Sequence, residues 1–273
     1  MTANQKQHDS VVKIALLGAA GRMGQTILET ARGYPGVRIS AAVVRNGSSL
    51  PEPDVNGLAY STDLGQALAI SDVLVDFSTP QSTSTALDAC IAACKPFIPG
   101  VTGLDAELKR KIETASRRIA VLAAPNMSLG ATLLLQLARI AATALNDDFD
   151  IEITDVHHRH KKDAPSGTAL ALGEAVAAGR GVKLDEQAVF ARHGQTGARR
   201  PGSIGFTSVR DGDIVGDHSV LFAGPAERLE LTHRAHSRAA FARGALAAAR
   251  WIIGKPADLY NMADILGIGT RQP

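Results

Sequence analysis

Apolar residues along this chain change period repeatedly. Val11–Leu17 is a nearly unbroken apolar run, short enough to predict a buried strand, and it passes through Gly18, Gly21 and Gly24 into a stretch, Gln25–Gly33, with helical spacing. The same exchange then recurs. Strands are predicted over Val37–Arg45, Val73–Phe77, Pro96–Pro99 and Ile119–Ala123, with helices over Thr83–Ala93 and Asp105–Arg117. Strands separated by helical patterns imply a parallel sheet with right-handed crossovers, and the loops that follow its strands then share one edge. Polar punctuation falls in those loops at Ser78–Pro80, Gly100–Gly103 and Ala124–Ser128.

The second half reads differently. Leu129–Leu145 is a long Ala/Leu helix pattern, Phe149–Val156 alternates at strand period, and Ala169–Ala178 is again helical. Ile204–Arg210, Ile214–Phe222 and Arg228–Ala235 alternate as strands, and Asp211-Gly212 predicts a two-residue hairpin between the first two. Gly179–Gly202 reads as loop-rich, and Arg238–Ile253 as a helix returning to the first domain. The predicted fold class is α/β. A parallel-sheet domain of residues 1–129 and 239–273 carries an inserted α+β domain, 130–238, with a mostly antiparallel or mixed open sheet.

Composition narrows the function classes. The chain has 273 residues, 45% hydrophobic and 21% charged, which is ordinary globular usage with ample length for a core. Formal net charge is only +2 and aromatics are 4%, so no basic face with interleaved rings points to nucleic acid. No apolar stretch approaches the roughly 20 residues of a membrane span, and the polar first ten residues, dispensable to the fold, lack a signal-like apolar run. The cytoplasm is the expected compartment. Cys90 and Cys94 stand four apart in an Ala-rich helix pattern, which predicts one shared helix face and small core side chains rather than a disulfide or a metal pair.

Two stretches carry candidate chemistry. Gly18-Ala19-Ala20-Gly21-Arg22-Met23-Gly24 lies between a strand and a helix, where glycines permit a tight turn and close approach of backbone to a pyrophosphate at the helix N-terminus. The other runs from His157 to Leu170. His157, His158, Arg159, His160, Lys161 and Lys162 bring positive charge and transferable protons to the end of a predicted strand. Ser166, Gly167 and Thr168 then open a helix whose first backbone N–H groups would face an anion, which makes a small carboxylated substrate the natural guest. A charge run is usually a solvated face, and Ser166 at a helix start is usually a cap.

With these residues in view, the chain resembles the dihydrodipicolinate reductase family over nearly its whole length. The resemblance rests on Gly18–Gly24, Asp76–Pro80, Gly100–Gly103, Ala124–Ser128 and above all His157–Thr168. It implies a Rossmann-type nucleotide domain and reduction of an unsaturated cyclic dicarboxylate by NADPH or NADH, with loss of water, on the diaminopimelate route to lysine. His157 would be the general acid and Lys161 its cationic partner, since electron density left by hydride addition must be protonated. His158, Lys161, Ser166, Gly167, Thr168 and Thr102 would hold the substrate. Gly18, Ala20, Gly21, Arg22, Met23, Gly24, Arg45, Phe77, Gly100, Thr102, Gly103, Ala124, Asn126 and Met127 would line the cofactor. Family members that accept NADH well commonly end the second strand in an acid that binds the ribose hydroxyls; here Val44 stands there, followed by Arg45. Arg45 could pair with a 2′-phosphate, and Arg22 could be a second cation, so NADPH is the expected cofactor ahead of NADH. Arg159 and His160 are expected to support the loop, and Asp163 to pair with a nearby cation. The resemblance also implies a homotetramer assembled through the β-rich domain.

Rival readings share parts of this pattern. An amino-acid dehydrogenase on the same architecture would have a similar first domain but no need of the histidine run, and a nucleotide sensor would need no proton donor. Zinc at His157, His158 and His160 is disfavoured because neighbouring residues of an extended chain point to opposite sides, leaving only His158 and His160 to share one. No metal is expected.

Overall fold

The computed structural model describes residues 11–45, 57–145 and 147–268; the polar start of the chain, read above as dispensable, lies outside them. Two compact units divide the chain, residues 1–128 with 239–273, and residues 129–238. In the first, β1 (Val12–Leu17) leads through the glycine turn into α1 (Arg22–Arg32). There follow β2 (Val37–Val43), β3 (Tyr60–Ser61), α2 (Leu64–Ala69), β4 (Val73–Asp76), α3 (Pro80–Ala92), β5 (Phe97–Pro99), α4 (Ala106–Ala115) and β6 (Ala120–Leu122). The second unit holds α5 (Leu129–Ala144), β7 (Asp150–His157), α6 (Gly167–Arg180), α7 (Leu184–Gln187), β8 (Ala188–Val189), β9 (Ile204–Arg210), β10 (Asp217–Ala223) and β11 (Arg228–Arg234). The chain then returns to the first unit with α8 (Ala239–Trp251), β12 (Asp258–Tyr260) and α9 (Met262–Ile265).

The first unit is a seven-stranded sheet in the order β12-β6-β5-β4-β1-β2-β3, parallel throughout. β1 sits between β2 and β4, so the winding reverses there, and ligands of open α/β sheets bind at the carboxyl edge of such a point. Helix starts are set by local chemistry: Thr79 caps α3 ahead of Pro80, and Asp105 caps α4 by accepting from the Leu108 amide. Leu108, Ile112 and Ala115 recur at helical spacing and bury that face of α4 with Leu74, Phe97 and Val121 of the sheet.

In the second unit five strands lie in the order β11-β10-β7-β9-β8, a mixed sheet. β10 is antiparallel to both β7 and β11, while β9 is parallel to β7 and to β8. Alternation sends Ile151, Ile153, Val220 and Phe222 to one face, where they are buried with Leu134 and Ala138 of α5 and Leu172 and Val176 of α6. On the other face lie Thr154, Val156, Thr207, Val209, Ser219, Leu221 and Thr232, none of them fully buried.

Several expectations are corrected. Asp211-Gly212 makes a turn, with Gly212 at φ 51°, but no hairpin, because β7 lies between β9 and β10. The connection must pass over the end of β7, and β10 begins only at Asp217 instead of Ile214. α3 ends at Ala92, so Cys94 falls beyond it at φ 53° and is exposed; only Cys90 is in the core. The loop-rich stretch 179–202 contains α7 and β8. β3, α2, β12 and α9 went unpredicted because elements this short show too little periodicity.

Candidate functional site

In the first unit the glycine turn is shaped for an anion. Gly18 has φ +81°, and a Cβ built on it would lie 2.6 Å from the Phe77 carbonyl oxygen, so a side chain there would break the contact between the β1 and β4 ends. Gly24 is equally constrained: its Cβ would come 2.3 Å from the Gly18 carbonyl oxygen. α1 starts at Gly21 without a side-chain cap, in contrast to the Thr79, Asp105 and Ser166 caps of α3, α4 and α6. An uncapped helix start directly after a glycine turn leaves amide donors for a phosphate, so these residues fit a dinucleotide. Ala20, Gly21 and Arg22 are exposed there and Met23 half-buried.

The other nucleotide candidates come from the following loops of the same sheet edge. Phe77 follows β4, and its ring lies flat against Gly100, where an added Cβ would sit 2.5 Å from it. Thr102 and Gly103 are exposed in the loop after β5; Ala124, Asn126 and buried Met127 follow β6, with Asn126 Oδ1 accepting from the Ser128 amide at 2.8 Å. Behind them is Asp76, fully buried, which accepts from the Ser78 amide (2.8 Å), the Ser78 hydroxyl (2.5 Å) and the Thr83 hydroxyl (2.6 Å). Burial raises its pKa against the pull of those donors. Val44 is buried after β2 and Arg45 is exposed beyond it. A cavity of about 880 Å³ lined in part by Lys13, Arg32, Arg38 and Ile70 meets β1 and β2 at their first residues, the opposite end from the glycine turn.

The second unit gathers its polar groups where β7 ends. Asp155 and His157 are two apart on a strand, so both face the helix side, and register sets His218 of β10 and Ser208 of β9 beside Asp155. Asp155 Oδ2 accepts from the Ser166 amide (3.0 Å), Arg210 Nη2 (3.0 Å) and the Ser208 hydroxyl (3.2 Å). Its other oxygen lies 2.7 Å from His157 Nδ1, with the N–H off the line between them, and 3.5 Å from His218 Nε2. Burial alone would raise the Asp155 carboxyl, but His157, Ser166 and Arg210 together hold it well below the usual range.

Ser166 is the α6 N-cap, its hydroxyl accepting from the Ala169 amide at 3.2 Å and lying 3.1 Å from His218 Nε2. The two imidazoles of His157 and His218 meet edge to face at 5.1 Å. Burial, and after it the neighbouring His157, push His218 down to about 4. Gly167, exposed, and Thr168, half-buried, open α6. Before them the cationic loop is tied down by backbone: the Asp211 amide donates to the His157 carbonyl (2.8 Å), that of His158 to Ile214 (2.7 Å) and that of Arg159 to Gly212 (3.2 Å). Lys161 Nζ pairs with Asp163 at 2.9 Å, and Arg210 also donates to the Asp163 carbonyl at 2.6 Å. Partial desolvation, then Arg238, His157, His160 and Lys161, lower the His158 pKa. Cations gathered at a helix start are an arrangement that could hold an anion.

Ligand-type atoms of Asp155, His157 and His218 lie within 4.8 Å of one another, a different set from the three histidines of the loop. Arg210 already supplies a positive charge to the same carboxylate, which disfavours a cation there.

The N-terminal model of dihydrodipicolinate reductase matches residues 12–127 and the C-terminal model of the same enzyme matches residues 130–266. The chain belongs to the dihydrodipicolinate reductase family. It is 48% identical over 264 residues to the 4-hydroxy-tetrahydrodipicolinate reductase of Thiobacillus denitrificans, covering 94% of this chain and 99% of that one. With the reductase of the same name from Nitrosospira multiformis it shares 47% over 266 residues, 95% and 99% of the two chains. A solved structure, dipicolinate-bound dihydrodipicolinate reductase from Paenisporosarcina sp. TG-14, superposes with a TM-score of 0.74 at 22% identity, covering 93% of this chain and 98% of that one, and shows the shared fold.

Within this family frame, sequence reasoning missed Asp155, Arg210, His218 and Arg238. Asp155 had a signal: it occupies an inward position after Ile151 and Ile153, where a charge calls for partners. The others needed the register of β9 and β10, or the return of the chain at Arg238.

Protonation of His218 sets a stability prediction. Its folded-state pKa is about 4 against an ordinary 6.5, so the unfolded chain binds the proton first and stability is lost as pH falls from 6.5 towards 4. Asp155, held low, contributes stability that is present above the ordinary carboxyl value of 3.8 and lost only below it. Denaturant titrations between pH 7 and 4 should show His218→Gln less stable at pH 7 but with a flatter pH slope than the parent; an unchanged slope assigns the loss to other groups.

Proposed function

We propose that this chain is a reductase that uses a reduced nicotinamide nucleotide to convert 4-hydroxy-tetrahydrodipicolinate, with loss of water, to tetrahydrodipicolinate in diaminopimelate and lysine biosynthesis. The observation that carries this reading is the pairing of a cation-rich loop and a helix N-terminus with a carboxylate-backed imidazole, in a chain whose two halves both match the family. A dicarboxylate needs positive charge and N–H donors at two places; His158, Lys161 and the Ser166–Thr168 turn are assigned to it, with Thr102 from the first unit.

A reduced nicotinamide bound at the glycine turn would supply the hydride. The residues of this chain contribute binding, orientation and a proton. Reduction of a conjugated imine leaves an electron pair that must be protonated, and His157 is assigned as the donor, with Lys161 as the cation that favours the developing negative charge. Gly18, Gly21 and Gly24 bring backbone close to the pyrophosphate, and the Phe77, Gly100–Gly103 and Ala124–Met127 loops are assigned to the nicotinamide side. Arg45 is assigned to a 2′-phosphate, because the buried Val44 offers the ribose hydroxyls no acceptor. The exposed sheet face bearing Val209, Leu221 and Thr232 supports assembly into a homotetramer through the second unit. Among the described residues no helix is long and apolar enough to cross a membrane, and an enzyme fed by reduced nucleotide is assigned to the cytoplasm.

Three measurements test these assignments. Replacing His157 by Gln should lower turnover by about 10²-fold or more while nucleotide binding survives; undiminished turnover removes His157 from the reaction. kcat/KM should favour NADPH over NADH, and Arg45→Asp should reduce that preference by about tenfold, one charged contact's worth; a parent enzyme that prefers NADH refutes the assignment. Light scattering of the purified chain should give four times the protomer mass, and Val209→Lys on the open sheet face should lower it; a monomer sinks the assembly.

A further inference from the structure

We propose that Asp155 is a positioning residue that sets both the tautomer of His157 and the place of the α6 N-terminus, so that the proton donor and the anion site are held by one carboxylate. This rests on the reading of His157 as proton donor and goes beyond it by naming what prepares the imidazole.

The geometry carries the inference from both oxygens. Oδ1 lies 2.7 Å from His157 Nδ1. Although the N–H direction is off the line between them, a nitrogen this close to an anionic oxygen is favoured by the partial positive charge of a bound proton and disfavoured by the negative lone-pair density of the bare form. The proton therefore stays on Nδ1, and Nε2 becomes the nitrogen that exchanges protons with substrate. Oδ2 takes the Ser166 amide, which fixes the residue whose hydroxyl caps α6. Arg210 anchors the carboxylate from β9 and reaches on to the Asp163 carbonyl, inside the loop that joins His157 to Ser166. His218 closes the remaining side, against the His157 ring and the Ser166 hydroxyl. Asp155 is 1% exposed, so these groups stand in for the bulk solvent its charge has lost.

A second residue completes the arrangement. A Cβ built on Gly216 would lie 2.9 Å from His157 Nε2, and Gly216 has no left-handed φ to demand glycine. The backbone would accept alanine; the imidazole would not keep its place. Gly216 leaves the room that Nε2 occupies.

The test is a set of variants in the intact enzyme: Asp155→Asn, Asp155→Glu, Gly216→Ala, His157→Gln, and the first and third combined with the last. Asp155→Asn should lower kcat by about tenfold or more with a smaller change in KM, and Asp155→Glu should recover part of it. In the His157→Gln background Asp155→Asn and Gly216→Ala should cost nothing further in kcat, because both act through the missing ring. Nitrogen-15 NMR of the imidazoles should show the Nδ1–H form of His157 in the parent and a mixture of tautomers in Asp155→Asn. If His157→Gln leaves turnover intact, the proton-donor reading fails, while the NMR result still decides whether Asp155 sets the tautomer. If His157→Gln is impaired but the Asp155→Asn effect multiplies with it, or the His157 tautomer is unchanged, the positioning role is overturned and the donor reading stands. Should Asp155→Asn not fold, Gly216→Ala decides: a loss of kcat that vanishes in the His157→Gln background supports the inference, and parent-like kcat overturns it.

Discussion

A buried carboxylate is tolerable only where charge and hydrogen bonds replace the water it has lost, and the second unit is organised around meeting that condition for Asp155. Its partners come from four parts of the chain: His157 on the same strand, Arg210 and Ser208 on β9, His218 on β10, and Ser166 at the start of α6. Taking away one side of such a buried pair commonly costs about 3–5 kcal/mol, because the other side is left charged and dry. The candidate site residues and the fold of the second unit are therefore held by the same contacts.

The first unit solves a related problem in the same way. Asp76 ends β4 as Asp155 nears the end of β7, and it too turns back to hold the loop that follows, through Ser78 and Thr83. The difference is charge. Among the described residues the side-chain donors to Asp76 are neutral, so burial prevails and its pKa rises, whereas Asp155 has a guanidinium and an imidazole beside it and is held low.

Much of this was legible in the chain. Period changes gave the longer strands and helices of the first unit in order, without β3, α2, β12 and α9, since an apolar run followed by a glycine turn and an amphipathic stretch has few other outcomes. Ser166 was legible as a cap because hydroxyl side chains compete so well for the first helical amides, and the His157–Thr168 stretch stood out as a candidate by its charge, its place at a strand end and its resemblance to the family. What could not be read was pairing. His218 and Asp155 are adjacent only because β10 lies antiparallel beside β7, and Arg210 reaches the carboxylate only because β9 runs parallel on the other flank. Cys94 shows the limit at short range: spacing predicted a shared face, but the helix stopped at Ala92 before it could matter.

The crossing of β7 by the chain between β9 and β10 has a bearing on how this protein can vary. An ordinary hairpin turn spans one strand spacing and tolerates insertions at its tip. Residues 211–216 instead span two, about 10 Å at the usual ~4.8 Å separation, while their amides and carbonyls grip His157, His158 and Arg159 on the way. About three or four extended residues would bridge that gap, so it is the backbone hydrogen bonds to His157, His158 and Arg159 that fix the segment's length: it can neither shorten nor lengthen without releasing them. Among related chains, drift should therefore accumulate in the 190s loop, while 211–216 stays fixed in length and changes only in concert with the residues beneath it.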